Sequence, residues 1–128
     1  MRSAVPMSTD GSVAGPSRRG GLPLLSLVTV RGPSMAPALR HGDLLLARRV
    51  GSAARIPIGT VVLTDWASRP GLLAVKRVVR PVPGGFWVEG DNPYASDDSR
   101  SYGPATVRGL VLGRCWPWPP WISATLRR

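Results

Sequence analysis

Hydrophobic and polar positions alternate along most of the chain in short runs, and glycine, proline, asparagine and aspartate separate the runs. Runs of this length, rich in valine and leucine and bounded by turn residues, predict β-strands. We therefore predict an all-β fold, mostly antiparallel, built as coiled sheets or a partly open barrel. The predicted strands are 22–30, 44–50, 60–66, 71–80, 84–92 and 109–116.

The two ends of the chain differ in composition from the part that carries these runs. Residues 1–20 are rich in glycine, serine and proline and are predicted to be a flexible leader. Residues 21–116 form one predicted folded domain with no large inserted second domain, and 117–128 are a tail of tryptophan and proline. No stretch reaches the ~20 apolar residues that span a bilayer, and the leader has no apolar signal-peptide region. We therefore expect a cytoplasmic protein.

Charge and cysteine content narrow the class of protein. The net charge of +10 comes from scattered arginines, without zinc-finger spacing or a basic helix, so we predict no nucleic-acid partner. Cys115 is the only cysteine, which is compatible with a reducing compartment. Peripheral contact with a membrane, through Trp116, Trp118 and Trp121, is the alternative to a tail that caps the core. The sequence does not indicate an oligomeric state.

A serine between two prolines is the first candidate for chemistry. Pro33 and Pro37 exclude a long helix through Ser34, so the chain bends around this hydroxyl. A serine becomes a nucleophile only beside an activating base. His41 is the only histidine, and its position in a turn before Asp43 makes a triad awkward, so a Ser-Lys pair is the alternative that the residues allow.

The second candidate is Lys76, which is the only lysine among 17 basic residues. Arginine supplies surface charge but does not give up its proton, whereas a buried lysine can. Strand alternation places Ala74, Lys76 and Val78 on one face. Burial of that face would lower the pKa of Lys76 and make it a base near neutral pH. An edge lysine whose amine reaches water is the competing interpretation.

The third candidate is the stretch GDNPYASDDSRSYG, residues 90–103. Its short polar side chains form either a network that orients a base or an ordinary acidic loop. Asp91, Asp97 and Asp98 do not have the spacing of an EF-hand, so we predict no metal.

The three stretches together resemble the type I signal peptidase family, which are serine proteases with a Ser-Lys dyad. PSMAPALRHGD resembles the box around the nucleophile, VKRVV the lysine box, and GDNPYASDDSRSYG the C-terminal box, in the family's order. Small members without a membrane anchor include the maturation protease of nickel-type superoxide dismutase, and the chain is most similar to these. The resemblance covers roughly residues 24 to 115.

The resemblance implies a role for individual residues and an activity. Ser34 would be the nucleophile and Lys76 the general base, and Met35 and Pro37 would bind substrate. Ser96 would aim the lysine amine, while Asp98 and Arg100 would fasten the loop. The chain would then be an endopeptidase that needs no cofactor. It would remove an N-terminal extension from a precursor protein, of nickel-type superoxide dismutase for the small members, with residues 21–116 as its catalytic domain.

Departures from the family pattern and two other classes of protein stay open. Gly32 has no hydroxyl where some members place an oxyanion-binding serine, and Thr60 replaces a frequent aspartate. Signal-peptidase-like processing of another precursor at the membrane surface is one alternative. A self-cleaving sensor of the SOS-repressor type shares two of the boxes but lacks the third. A basic interaction module without activity would have no need of all three.

Overall fold

The computed structural model describes residues 13–14, 22–51, 54–94, 97–117 and 121–122. Within these ranges the strands pair antiparallel throughout, so the predicted β fold is confirmed. The elements in chain order are β1 (Val13–Ala14), β2 (Leu25–Val30), β3 (Leu44–Arg49), β4 (Val61–Trp66), β5 (Arg69–Val82), β6 (Gly85–Glu89), α1 (Ser99–Tyr102), β7 (Thr106–Trp116) and β8 (Trp121–Ile122).

The strands form one open sheet in the order β1-β2-β3-β7-β4-β5-β6, with β8 also paired to β7. The sheet does not close into a complete barrel. The long β5 pairs with β4 along Arg69–Arg77 and with β6 from Arg77 to Val82. One strand thus belongs to two hairpins, and the switch between them falls next to Lys76.

Burial follows the alternation expected for strands. On β2, Ser26, Val28 and Val30 point inward, whereas Leu25 and Leu27 are more than half exposed. Residues 61–64 of β4 and 74–76 of β5 are instead buried without interruption. Continuous burial means that these two strands are covered on both faces.

Two hydrophobic clusters provide that cover. Neighbouring residues on one strand join different clusters, as Leu63 and Val62 do on β4. The β4–β5 hairpin therefore lies between two layers, and each fully buried valine or leucine contributes roughly 1.5–3 kcal/mol. The first cluster includes Val28, Met35, Leu39, Leu45, Val61, Leu63, Val75 and Val111, and the second includes Val62, Trp66, Leu72, Ala74, Val78, Val88, Ala105 and Val107.

Three short elements were not predicted. β1 falls inside the segment predicted to be a flexible leader, and β8 falls inside the predicted tail. Helix α1 is a single turn that begins where the Asp98 side chain accepts from the Arg100 N–H, and it ends before Gly103 at a φ of 82°. In the described part of the chain, no helix has the length and apolar character to cross a membrane.

Candidate active site

Ser34 lies in the tight loop that connects β2 to β3. The loop is shaped by backbone hydrogen bonds from Ala36 to Pro33 and from Leu39 to Met35, at 3.0 and 2.9 Å. Met35 and Leu39 are fully buried in the first cluster, so the side chains on both sides of the turn anchor it to the core. The serine is thereby held in a fixed position beneath the surface.

The Ser34 hydroxyl is completely buried, and among the described residues its Oγ has no hydrogen-bond partner, a property that it shares with Ser26 Oγ on β2. A buried hydroxyl without a partner costs roughly 1–3 kcal/mol, and native proteins keep few of them. Such an atom needs an explanation. A group that is reserved for a reaction provides one.

His41 and Asp43 do not form a triad with Ser34. His41 is exposed, and its Nδ1 accepts the Gly32 N–H at 2.9 Å. The Asp43 carboxylate accepts the Arg40 N–H at 2.8 Å and lies 3.9 Å from Arg114. Both side chains therefore stabilise the loop. The φ of 82° at Gly32 is a conformation that favours glycine, which explains why no serine stands there.

Lys76 is fully buried in the doubly covered part of β5, opposite Val62 of β4. This burial excludes the edge lysine with its amine in water. Removal from water favours the neutral amine over the ammonium. The structure thus brings a lysine into the environment in which an amine can accept a proton, although it is not hydrogen-bonded to Ser34 Oγ.

A chain of contacts connects the strand of Lys76 to the loop of Ser34. Arg77 binds both carboxylate oxygens of Asp91 at 2.9 Å and donates to the Gly59 carbonyl at 2.8 Å. Asn92, the next residue, donates its backbone N–H to the Ser34 carbonyl at 2.7 Å and its side-chain amide to the Pro33 carbonyl at 3.1 Å. Residues 91–92 therefore hold the two candidate catalytic segments together.

The guanidinium of Arg77 stays protonated throughout the neutral pH range. Its hydrogen bonds to Asp91 raise the pKa of the guanidinium, and burial opposes them with a smaller effect. A raised pKa means that the contribution to stability is lost only as the pH rises through that pKa, which lies far above neutral. Titration of Arg77 therefore cannot produce a pH dependence near neutrality.

Asp98 fastens the start of the same loop. It is fully buried, and its carboxylate accepts the Gly90 N–H at 2.9 Å together with the backbone and guanidinium N–H groups of Arg100 at 2.7–3.1 Å. The hydrogen bond to Asp98 raises the pKa of Arg100. The neighbouring Ser99 hydroxyl accepts the Val88 N–H at 2.9 Å. These contacts tie residues 98–100 to Val88 and Gly90 at the end of β6.

The other predicted site residues are placed as follows. Met35 is buried in the core and Pro37 is exposed after a cis peptide bond. Ser96 lies outside the described residues. Among those that are described, no three His, Cys, Asp or Glu side chains lie together as a metal ligand set.

Arg77, Asp91 and Asn92 are the contacts that the sequence analysis missed. In the sequence, Asp91 stands out only as a candidate metal ligand, and strand alternation places Arg77 on the face opposite Lys76 without indicating a partner. The Gly-Asp-Asn turn was visible, but the partner of its aspartate depends on the register between β5 and β6.

Comparison with known proteins gives relatives of one kind. The mitochondrial ATP-independent inner membrane protease subunit 1a of Arabidopsis thaliana is 32% identical, and the alignment covers 73% of this chain and 72% of the relative. The mitochondrial inner membrane protease subunit 1 of Schizosaccharomyces pombe is 32% identical over 80% and 81% of the two chains. That of Xenopus tropicalis is 33% identical over 71% and 69%. No family model and no solved structure matches the chain.

The prediction of a cytoplasmic protein is wrong. It depended on an apolar run too short to span a bilayer, whereas the relatives are all named as proteases of an inner membrane, which points to association with a membrane. The names do not mention a superoxide dismutase. They support the resemblance to type I signal peptidases, and they do not support the resemblance to the maturation protease of nickel-type superoxide dismutase. The chain belongs to the family of inner membrane protease subunit 1, which are peptidases related to type I signal peptidases.

Proposed function

We propose that this protein is a serine endopeptidase in which Ser34 is the nucleophile and Lys76 the general base. The single observation that carries the proposal is the buried Ser34 Oγ without a partner, in a loop joined through Asn92, Asp91 and Arg77 to the strand of the only lysine. Membership of a family of proteases supports peptidase activity. His41 binds the Gly32 backbone and not Ser34, which supports Lys76 as the base.

In the proposed reaction, the neutral Lys76 amine takes the proton of the Ser34 hydroxyl as Oγ attacks the scissile carbonyl carbon. The Ser34 N–H stabilises the oxyanion of the tetrahedral intermediate. The Lys76 ammonium then gives its proton to the leaving amine, and an acyl-enzyme remains. Water, activated by the same amine, releases the product acid. Catalytic hydrogen bonds are often long or poorly aligned before substrate binds, so the absence of a hydrogen bond between Lys76 and Ser34 Oγ is compatible with this role.

Substitution of the two residues tests the dyad. Ser34→Ala removes the nucleophile, and Lys76→Arg replaces the base with a guanidinium, which cannot accept the proton. Each substitution is therefore expected to abolish cleavage. His41→Ala is the control, and we expect it to keep most activity because its imidazole binds only the Gly32 backbone. Circular dichroism checks that each variant is folded. A folded Lys76→Arg enzyme with near-normal turnover would contradict the proposal.

The pH dependence gives an independent test of the base. Because Lys76 is buried, the acidic limb of the kcat/KM profile should fall well below the pKa of about 10.4 of a free lysine. Activity should be lost as the pH decreases through that limb, since the ammonium cannot take a proton. A limb at the value of free lysine would exclude a buried base.

Ser96 is proposed to aim the Lys76 amine, and Asp98 with Arg100 to hold the loop. Ser96→Ala should lower kcat by about 10- to 100-fold without abolishing it, as is common for residues that orient a reacting group. Met35 and Pro37 are proposed to form part of the substrate site, with Pro37 at the surface and Met35 behind it in the core. A Ser96→Ala enzyme as active as wild type would remove Ser96 from the mechanism.

The substrate is proposed to be a precursor protein that loses an N-terminal extension. The resemblance of the small domain to the maturation proteases of nickel-type superoxide dismutase supports that precursor as a candidate. The names of the relatives support processing at a membrane surface instead. Co-expression with a nickel superoxide dismutase precursor, followed by intact-mass measurement, decides between them. A precursor that stays full length beside active enzyme would exclude the dismutase and leave the dyad untouched.

A further inference from the structure

The open sheet has two strand edges that face one gap. β3 occupies one of the two edges of β2. Among the described residues, Arg69–Lys76 of β5 pair only with β4. β1 lies in this gap, because it pairs with β2 and also contacts β5. A two-residue piece of the chain thus joins the edges that keep the barrel open.

The backbone of β2 offers hydrogen-bonding groups toward this gap. The Val30 N–H donates to the Asp43 carbonyl, and the Val30 carbonyl accepts from Gly42, so both groups point toward β3. Alternation along a strand directs the groups of Thr29 to the opposite edge. Ala14 is the residue opposite Thr29.

The gap leads to the proposed catalytic pair. β2 ends at Val30, four residues before Ser34, and β5 carries Lys76. An extended peptide that adds to the β2 edge would therefore run toward the Ser34 loop, and one that adds to the β5 edge would run along the strand of Lys76. Addition of a strand to an open edge is a common way for proteins to bind peptides, since main-chain hydrogen bonds supply affinity for many sequences.

We propose that the N-terminal segment around Val13–Ala14 is a built-in competitor that covers the edge on which a peptide substrate would add. The inference depends on the proposed peptidase function and adds regulation of the same site. β1 runs antiparallel to β2, so its chain direction leads away from the Ser34 loop. Val13 pairs with Val30, at the end of β2 nearest to Ser34, and Ala14 pairs one residue further from it. In this proposal the segment occupies the edge without being cut.

The competitor has to be weak, because Val13 and Ala14 are the only described residues of the segment that pair with β2. Its covalent attachment compensates by giving it a high effective concentration. If β1 covers the edge in about 70–90% of molecules, the apparent affinity for substrate falls by about 3- to 10-fold. Substrate can then displace the segment without unfolding the domain.

Ala14→Pro tests the competition in the full-length chain. Proline removes the N–H through which Ala14 can pair with Thr29. Ala4→Pro is the matched control, with the same change outside β1. We expect Ala14→Pro to lower KM by about 3- to 10-fold with kcat unchanged, and Ala4→Pro to behave as wild type.

Two measurements do not depend on peptidase activity. A synthetic peptide of residues 8–18 should bind Ala14→Pro about 3- to 10-fold more tightly than it binds wild type or Ala4→Pro. The Thr29 amide should exchange hydrogen faster in Ala14→Pro than in either of the other two. Suppose that no variant cleaves any precursor, but Ala14→Pro binds the peptide more tightly and its Thr29 amide exchanges faster. The proposed peptidase function then fails, whereas the proposal that β1 covers the edge is supported.

Equal peptide binding and equal Thr29 exchange in the three proteins would overturn the competitor, even in an active enzyme. Intact-mass measurement adds a further test. A wild-type chain that stays intact during turnover supports a competitor, and one that is cut between residues 8 and 18 shows a substrate instead.

Discussion

At the scale of single residues, Arg77 begins the set of contacts that connects the strand of Lys76 to the loop of Ser34. The planar guanidinium of Arg77 binds both oxygens of Asp91 and the Gly59 carbonyl through separate nitrogens, and the single nitrogen of an ammonium does not reproduce that geometry. We predict that Arg77→Lys lowers kcat by about 10- to 100-fold, because the loop at Asn92 shifts relative to Ser34. Steady-state kinetics measures this.

Arg80→Lys is the control for that change. Arg80 lies on the same strand, but its guanidinium sits over the Trp87 ring at the surface, 5.1 Å from the centroid. The Arg80→Lys substitution should leave kcat within about twofold of the wild-type value, since surface substitutions of this kind have small effects. Equal losses in the two variants would mean that Arg77 affects only the stability of β5.

The sequence indicates the candidate site residues that are unusual in type or setting. It does not indicate residues whose role depends on which strands pair with each other. Ser34 is marked by its prolines, and Lys76 by being the only lysine in an apolar run. The bond between Arg77 and Asp91 joins residues 14 positions apart, so it depends on how β5 turns into β6. No local pattern carries that information.

At the scale of elements, regular alternation is enough to locate the long strands, whereas β1, β8 and α1 have two to four residues and no period to detect. Glycine positions show where the sheet depends on close backbone contact. At Gly85 an added Cβ would lie 2.3 Å from the Ala105 carbonyl oxygen, which accepts the Phe86 N–H. No side chain fits between Gly85 and the Ala105 backbone.

We predict that Gly85→Ala lowers the free energy of unfolding by about 3 kcal/mol or more, because the backbone must move and its φ of 153° is also unfavourable for alanine. Gly84→Ala is the matched control, since its φ is 87° but nothing lies within 4 Å of an added Cβ. It should cost only about 1 kcal/mol. Urea unfolding of both proteins makes the comparison, and equal losses would show that only the backbone angle matters.

At the scale of the whole molecule, the outer surface of the β2–β3–β7 sheet is unusually apolar. Leu25, Leu27 and Trp116 are each more than half exposed. Leu46 is opposite Leu27, and Leu44 is opposite Trp116, so all five side chains share one leucine face. Tryptophan and leucine beside arginines suit the interface of an anionic membrane.

We predict that the protein floats with anionic vesicles and that Leu25→Ser with Leu27→Ser weakens binding by about 10-fold or more, since each leucine buried contributes roughly 1.5–3 kcal/mol. Ile58→Ser is the control, because Ile58 is exposed in the turn before β4, where Gly59 donates to Val78 of β5. Trp118 lies outside the described residues, and only the backbone pairing of Trp121 is described, so their part in binding stays a prediction. Flotation unchanged by the double substitution would exclude the leucine face as the contact.

The burial of Lys76 has a practical consequence that does not depend on catalysis. A protease that cleaves only after lysine has one target bond in the whole chain, between Lys76 and Arg77, in the middle of the longest strand. That bond is reachable only when β5 separates from β4 and the core opens. A brief pulse of such a protease would therefore count the unfolded molecules in a population, with the chain serving as its own reporter of folding.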